Sequence, residues 1–243
     1  MGFTRIVEVG STGSTNSDLM AALADGAWPW PHLSVLVARR QTAGRGRAGR
    51  VWETPGSGAL TCSVVLGPGE APPSWAPLLV GLAVRRAVAP WVATRLKWPN
   101  DVVVDEPPAP DWGWGRKLGG VLCELHAGGA VVAGIGVNCR QEVLPVPWAA
   151  SIMGVAGDAP TVLQLLEEMG GALADTLSDW RAAPEVVRER YAEACATLGE
   201  EVVVELPGGR TVRGRATAVA DDGALVLDGS VRVSVGDVQR VRT

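Results

Sequence analysis

The stretch Gln41-Thr42-Ala43-Gly44-Arg45-Gly46-Arg47-Ala48-Gly49-Arg50-Val51-Trp52 holds three arginines and three glycines in the seven residues Gly44–Arg50. Packing does not explain such a run. Glycine lets a backbone approach a ligand closely. Arginine offers a planar, permanently charged fork suited to phosphate and carboxylate. The glycines loosen the segment and the three guanidiniums repel one another, so it reads as a mobile lid that gathers an anion. It matches G-x-G-x-x-G, but a dinucleotide site needs a helix to begin inside the motif. Val51–Gly58 is loop composition instead. A P-loop is excluded because Arg50-Val51 stand where Lys and Ser/Thr are required. The bland alternative is a solvated basic loop.

Outward from this loop the chain alternates strand and helix signals. Arg5–Val9 alternates as a strand, Leu33–Ala38 is a short apolar run, and Ala59–Leu66 is the next strand. Asn16–Ala24 has Leu19, Met20 and Leu23 at helical spacing behind Ser14 and Thr15. Trp75–Val92 is apolar nearly all round, which predicts a buried helix. Arg95–Asp105 is a short strand broken at Pro99-Asn100. Lys117–His126 and Ala130–Val137 are two β-type runs joined at Gly128-Gly129, a hairpin signal. Thr161 and Gln164 form a capping-box pattern before a helix whose face runs through Val162, Leu165, Leu166, Met169, Leu173, Leu177 and Trp180. Pro184–Cys195 is a second helix. The expected fold class is α/β, a mixed sheet with flanking helices.

The texture changes near Leu198. Four short strand signals, Glu201–Leu206, Thr211–Val219, Ala224–Leu227 and Val231–Val235, are punctuated by Gly-rich turns. They predict a small barrel, so the expected domains are 1–197 and 198–243. Glu106–Gly115, rich in Pro, Gly, Asp and Trp, reads as a mobile or functional loop of open role.

Composition sets the limits. The chain has 243 residues, 47% hydrophobic and 20% charged, enough for a real core. A net charge of −4 gives no global pull toward nucleic acid or anionic membranes. The four cysteines form no C-x-x-C pair, and with two histidines a zinc site is not expected. They read as small buried groups in a reducing cytosol. The N-terminus lacks a signal-peptide pattern and no apolar run reaches a membrane span, so the expected location is cytoplasmic.

Further segments combine chemistry-bearing residues. Lys97-Trp98-Pro99-Asn100-Asp101 crowds a cation, an amide and a carboxylate at one strand end, where a capped turn is the plainer reading. Lys117-Leu118-Gly119-Gly120-Val121-Leu122-Cys123-Glu124 leads a strand whose paired glycines would let a ligand lie on the backbone. Gly134-Ile135-Gly136-Val137-Asn138 ends the following strand in an amide. Ser14-Thr15-Asn16 stands at a helix start, where N-capping is the ordinary explanation.

Taken together and in order, Ser14–Asn16, Gln41–Trp52, Lys97–Asp101, Lys117–Glu124 and Gly134–Asn138 resemble the biotin protein ligase family over nearly the whole chain. The resemblance implies a class II aminoacyl-tRNA synthetase-like core with an SH3-like barrel. It implies an enzyme that uses ATP and Mg²⁺ to turn biotin into biotinyl-AMP. The biotin then passes to a lysine of the biotin carboxyl carrier domain of acyl-CoA carboxylases. By the same resemblance, Ser14, Thr15, Asn16 and Gln41 would bond the ureido head of biotin. Gly44, Arg45, Gly46, Arg47, Lys117, Gly119 and Gly120 would surround the rest of it. Arg45, Arg47, Trp52, Lys97, Asn100, Lys117, Asn138 and Arg242 would meet the nucleotide. Arg47, Lys117 and Asp101 would be catalytic, with Asp101 orienting or deprotonating the incoming amine.

Regulatory members of the family carry an N-terminal helix-turn-helix. The motifs here begin at about Thr4, so DNA binding is not expected, and a homodimer is left open. The rivals are a lipoate ligase-like adenylating enzyme and a non-catalytic nucleotide or nucleic-acid binder. A lipoate ligase usually carries an R-R-x-x-G-G-G loop, unlike Gly44–Arg50. The binder would need a uniform basic face.

Overall fold

Successive residues of a strand point to opposite faces of the sheet, and here both faces are covered. The structure is a computed structural model that describes residues 2–26, 29–54, 58–110 and 112–241. Its main sheet has seven strands: β1 (Arg5–Val9), β2 (Ser34–Ala38), β3 (Ala59–Leu66), β4 (Thr94–Lys97), β5 (Asp101–Val104), β6 (Lys117–Leu125) and β7 (Val131–Asn138). Their order is β1-β2-β3-β7-β6-β5-β4. β1 and β2 run parallel and the remaining neighbours antiparallel, so the sheet is mixed as expected.

Val35, Val37, Cys62, Val64, Ala133 and Ile135 face the large core. The helices α2 (Ala76–Val88), α4 (Val162–Ala182) and α5 (Pro184–Ala194) supply its other side. The intervening residues Leu36, Val65 and Val132 face α1 (Thr15–Asp25) and its Leu19. The capping box forms: Gln164 N–H donates to Thr161 Oγ1 at 3.2 Å and Thr161 N–H to Gln164 Oε1 at 2.9 Å. Such a cap stabilises a helix end by about 1 kcal/mol.

A second, five-stranded antiparallel sheet comprises β8 (Glu201–Glu205), β9 (Thr211–Val219), β10 (Leu225–Leu227), β11 (Val231–Val233) and β12 (Asp237–Arg240). Their order is β11-β10-β9-β8-β12. The barrel does not stand apart. Val202, Val204, Ala216 and Leu225 belong to the same buried cluster as Trp75 and Trp98. The indole N–H groups of those tryptophans donate to Asp221 O at 2.7 Å and Gly223 O at 3.0 Å.

Two elements have no sequence signal. The five-residue helix α3 (Ile152–Ala156) is too short for a period and is capped by Ser151, whose Oγ accepts from Gly154 N–H. Strand β12 is short and polar, and it forms because β8 offers a partner from Glu205 back to Val202. Among the described residues no helix is long and apolar enough to cross a membrane.

Candidate active site

The site lies on the α1 side of the sheet, where β7 carries glycine in place of side chains. A Cβ at Gly134 would collide with the Asn16 amide, and one at Gly136 with the Trp52 indole. A cavity of about 130 Å³ opens there. Its wall is made by the start of α1, the loop Arg45–Trp52, and β5, β6 and β7.

At one end is a polar network. Thr15 N–H and Oγ1 lie 2.8 and 3.1 Å from Gln41 Oε1. Asn16 Nδ2 donates to Leu122 O at 3.1 Å and Glu124 Oε2 at 2.9 Å, while Ser63 Oγ donates to Asn16 Oδ1 at 2.6 Å. The Asn16 amide is thus held almost entirely by protein. Ser14 starts α1 without a side-chain cap bond, and it is buried and lines the cavity. The plainer capping explanation for Ser14 is therefore not what the structure shows.

The arginine loop is folded rather than loose. Gly46 N–H donates to Arg50 O at 2.7 Å and Trp52 N–H to Gly44 O at 2.9 Å, closing a narrow hairpin. Ala48 and Gly49 turn it with positive φ of 52° and 75°. Gly44 has no room for a Cβ beside Trp52 O. Each guanidinium has its own acceptor. Arg45 makes a bidentate pair with Glu124 at 2.8 and 3.2 Å. Arg47 donates to Asn100 Oδ1 at 3.1 Å and to Gly236 O at 3.3 Å. Arg50 pairs with Asp237. The expected mutual repulsion is answered by acceptors on β6, on the β4–β5 turn and at the start of β12. None of these is near in sequence. Burial lowers the Arg47 pKa from its ordinary value, with Asp237 and Asp101 opposing.

Deeper in the wall, Asp101 is shared by two ammoniums. Its Oδ1 lies 2.7 Å from Lys117 Nζ and its Oδ2 3.2 Å from Lys97 Nζ. Burial alone would raise the carboxyl, but the two cations overcome it and hold Asp101 well below the ordinary carboxylate range. Burial lowers the Lys97 ammonium from its ordinary value, with Asp101 opposing. Lys117 and Asp101 line the cavity, and Lys97 does not.

Of the expected site residues, Ser14, Thr15, Asn16, Gln41, Arg45, Gly46, Arg47, Trp52, Asn100, Asp101, Lys117 and Gly120 converge on this cavity. Gly119 is turned away, and its missing Cβ makes room for Gly136 O. Asn138 is buried, donating to Ala150 O at 3.0 Å and accepting from Gln141 Nε2 at 3.1 Å. Arg242 lies outside the described residues. Sequence reasoning did not single out Ser63, Asp237 or Arg50 for the site. It quoted Glu124 only as the end of a motif, although a carboxylate two turns of pleat from paired glycines was a usable signal. Cys62 also lines the cavity, but burial pushes its thiol up to about 12, so it is no nucleophile.

The profile of the Biotin/lipoate A/B protein ligase family matches residues 10–141, more than half of the chain. That of the Biotin protein ligase C terminal domain matches residues 197–241. The chain belongs to the biotin protein ligase family. The ligase is 37% identical to a biotin–[acetyl-CoA-carboxylase] ligase of Mycobacterium tuberculosis, covering 99% of this chain and 91% of that one. It is 28% identical to a bifunctional ligase/repressor of Bacillus subtilis, over 82% of this chain and 62% of that protein. A biotin protein ligase of Aquifex aeolicus, solved with biotin and ATP, superposes with a TM-score of 0.80 at 25% identity. That match covers 99% of this ligase and all of that chain. The α/β core with a C-terminal SH3-like sheet is that of the family.

Proposed function

We propose that this cavity joins the carboxylate of biotin to the α-phosphate of ATP, releasing pyrophosphate, and then yields the acyl group to a carrier lysine with loss of AMP. The chain is an ATP-dependent biotin ligase acting on the biotin carboxyl carrier protein of a carboxylase. One observation carries the assignment of roles: Lys117 and Arg47 line the same cavity as the Ser14–Gln41 polar network.

The first step brings a carboxylate against a polyphosphate, so like charges must be neutralised in a site shielded from water. Lys117 and Arg47 supply that charge. Ser14 and the Thr15–Gln41 pair meet the neutral ureido head, while Asn16 positions the network rather than reading the ligand. Trp52, lying over Gly136 and Gly120, forms the wall between the two substrates. Asp101 orients. A general base works best with a pKa near the operating pH, and this carboxylate lies far below that with both oxygens on ammoniums. Deprotonation of the incoming amine is therefore left to solvent or to the leaving phosphate.

No group of three or more His, Cys, Asp or Glu side chains among the described residues could hold a metal ion. Mg²⁺ would therefore enter on the phosphates of the nucleotide, with mostly water in its remaining positions. We place the division between catalytic and barrel parts at 197/198 on the change of sheet. We assign the chain no DNA partner and a cytoplasmic location, on its acidic balance and the reducing chemistry that free cysteines need.

The test is pyrophosphate release with biotin, with lipoate or with neither, followed by mass analysis of an added carrier domain. Release that needs biotin and a single biotinyl addition to the carrier are expected. Release driven by lipoate instead, or independent of either acid, would overturn the reading.

A further inference from the structure

The described residues 106–110 and 112–116 of the Trp- and Pro-rich segment pack together against the site. Arg116 Nε and Nη2 clamp its ends, donating to the Glu106 carboxylate at 2.7 and 3.0 Å. Inside the clamp, Ala109 N–H donates to Trp114 O at 2.8 Å and Gly113 N–H to Ala109 O at 2.9 Å. Trp114 is buried, and Trp112 stacks on Trp148 with centroids 5.9 Å apart and planes within 7°.

These rings enclose one ammonium. Lys97 Nζ lies 4.8 Å from the Trp112 centroid and 5.9 Å from that of Trp114. Asp101 on β5 is its hydrogen-bonded partner, while Lys117 on β6 and Asp237 on β12 act on it through their charge. Trp148, which backs Trp112, also accepts from Lys117 N–H through its carbonyl at 2.7 Å. The aromatic stack therefore touches both ends of the Lys97–Asp101–Lys117 chain, yet none of its rings lines the cavity.

We propose that Trp112 is a positioning residue for adenylation: its ring holds the Lys97 ammonium on Asp101, and Asp101 in turn presents Lys117 to the reacting carboxylate and phosphate. The proposal rests on the reading of Lys117 given above. The face of an indole is electron-rich and replaces part of the water a buried ammonium has lost. Without that face Lys97, on a flexible four-carbon stem, turns toward solvent. Asp101 then has one ammonium left, draws Lys117 back against both oxygens, and leaves the transition state with a weaker cation. Biotin is still bound by the far end of the cavity, so the defect falls on kcat rather than KM.

The experiment compares Trp112→Leu with Trp112→Phe, which keeps a ring face. Trp112→Leu should lower kcat for biotin-dependent pyrophosphate release about tenfold, with biotin KM changed less than about twofold. Trp112→Phe should restore most of the rate. Independently of activity, the Lys97 side-chain ammonium should give a slowly exchanging NMR signal in the wild type and in Trp112→Phe, lost in Trp112→Leu. Wild-type kcat in Trp112→Leu, an equal loss in both variants, or no protected ammonium in the wild type would overturn the proposal. Should Trp112→Leu not fold, Trp112→Phe and the wild-type signal still decide. A Lys117→Ala enzyme with normal adenylation would instead sink the reading of the site and leave the protected ammonium unaffected.

Discussion

Replacing Asp101 with Asn removes one negative charge from between two ammoniums while keeping the shape of the side chain. The two cations do not suffer equally. Lys117 is 26% exposed at its side chain and lines the cavity, so it can turn to water. Lys97 is 7% exposed and enclosed by Trp112 and Trp114. The loss is therefore mainly that of one buried ammonium deprived of its partner, about 3 kcal/mol, the lower end of the usual range for breaking a buried pair. In a chain of this length about 1 kcal/mol moves the melting temperature by about 2–4 °C, so a fall of about 6–12 °C is expected near pH 7. The pH dependence has a definite sign. Lys97 has a folded pKa below its ordinary value, so between the two values the unfolded chain binds the extra proton and stability rises with pH. Asp101 is what holds that value up. The variant should thus have a wider window and regain stability more steeply from neutral pH toward 10. Asp101 itself is depressed in the wild type, so its contribution is present above 3.8 and is lost as pH falls through the folded value. The variant should lack that acid-side loss. Thermal unfolding at several pH values from 3 to 10 measures the rise toward alkaline pH and the onset of the acid-side loss. A variant that melts with the wild type at pH 7 and tracks it toward pH 10 would refute the account of the triad.

Three other outcomes are expected. Arg47→Gly removes the link from the loop to Asn100 and Gly236. It should release biotinyl-AMP and label proteins at many lysines, which mass spectrometry of a mixed lysate would reveal; labelling confined to one carrier lysine at the normal rate would count against it. Gly136→Val should displace the Trp52 indole and weaken biotin binding at least tenfold by calorimetry, a loss of about 1.4 kcal/mol or more; unchanged affinity would mean the indole forms no wall. Glu124→Ala frees Arg45 and removes one of the bonds that hold the Asn16 amide, so the KM for biotin should rise about tenfold with little change in melting temperature, since partly exposed pairs of this kind contribute about 1 kcal/mol or less; an unchanged KM would show that the Arg45–Glu124 pair does not shape the pocket.

The periodic elements were legible because their signals are local. Alternation placed Arg5–Val9 at its observed bounds, the strand-type run Ala59–Leu66 also matched, and the spacing of Leu165 through Trp180 marked the buried face of α4. What stayed hidden depends on distant partners. Strand β12 exists because β8 accepts it. Ser63 enters the polar network because β3 runs beneath α1, and an isolated serine in an apolar strand has no pattern to announce that. The order in the arginine loop was missed for the same reason. Three cations in seven residues look self-repelling until Glu124, Asn100 and Asp237 are brought to them. Conversely, Gly119 and Asn138 belonged to informative motifs but serve the sheet and its flank rather than the cavity.

The grip of the barrel on the arginine loop has a consequence for how the enzyme is made. Arg47 and Gly236 are 189 residues apart, and Arg50 and Asp237 are 187 apart. A ribosome adding about 5–20 residues per second therefore needs about 10–40 s between synthesising the loop and synthesising its anchors. Through that interval the nascent chain can assemble the glycine-floored end of the pocket and the Lys97–Asp101–Lys117 chain, but not the contacts that pin Arg47 and Arg50. Custody of a reactive acyl adenylate is thus tied to residues far from the loop in sequence, and the two segments must both be in place before the loop is pinned.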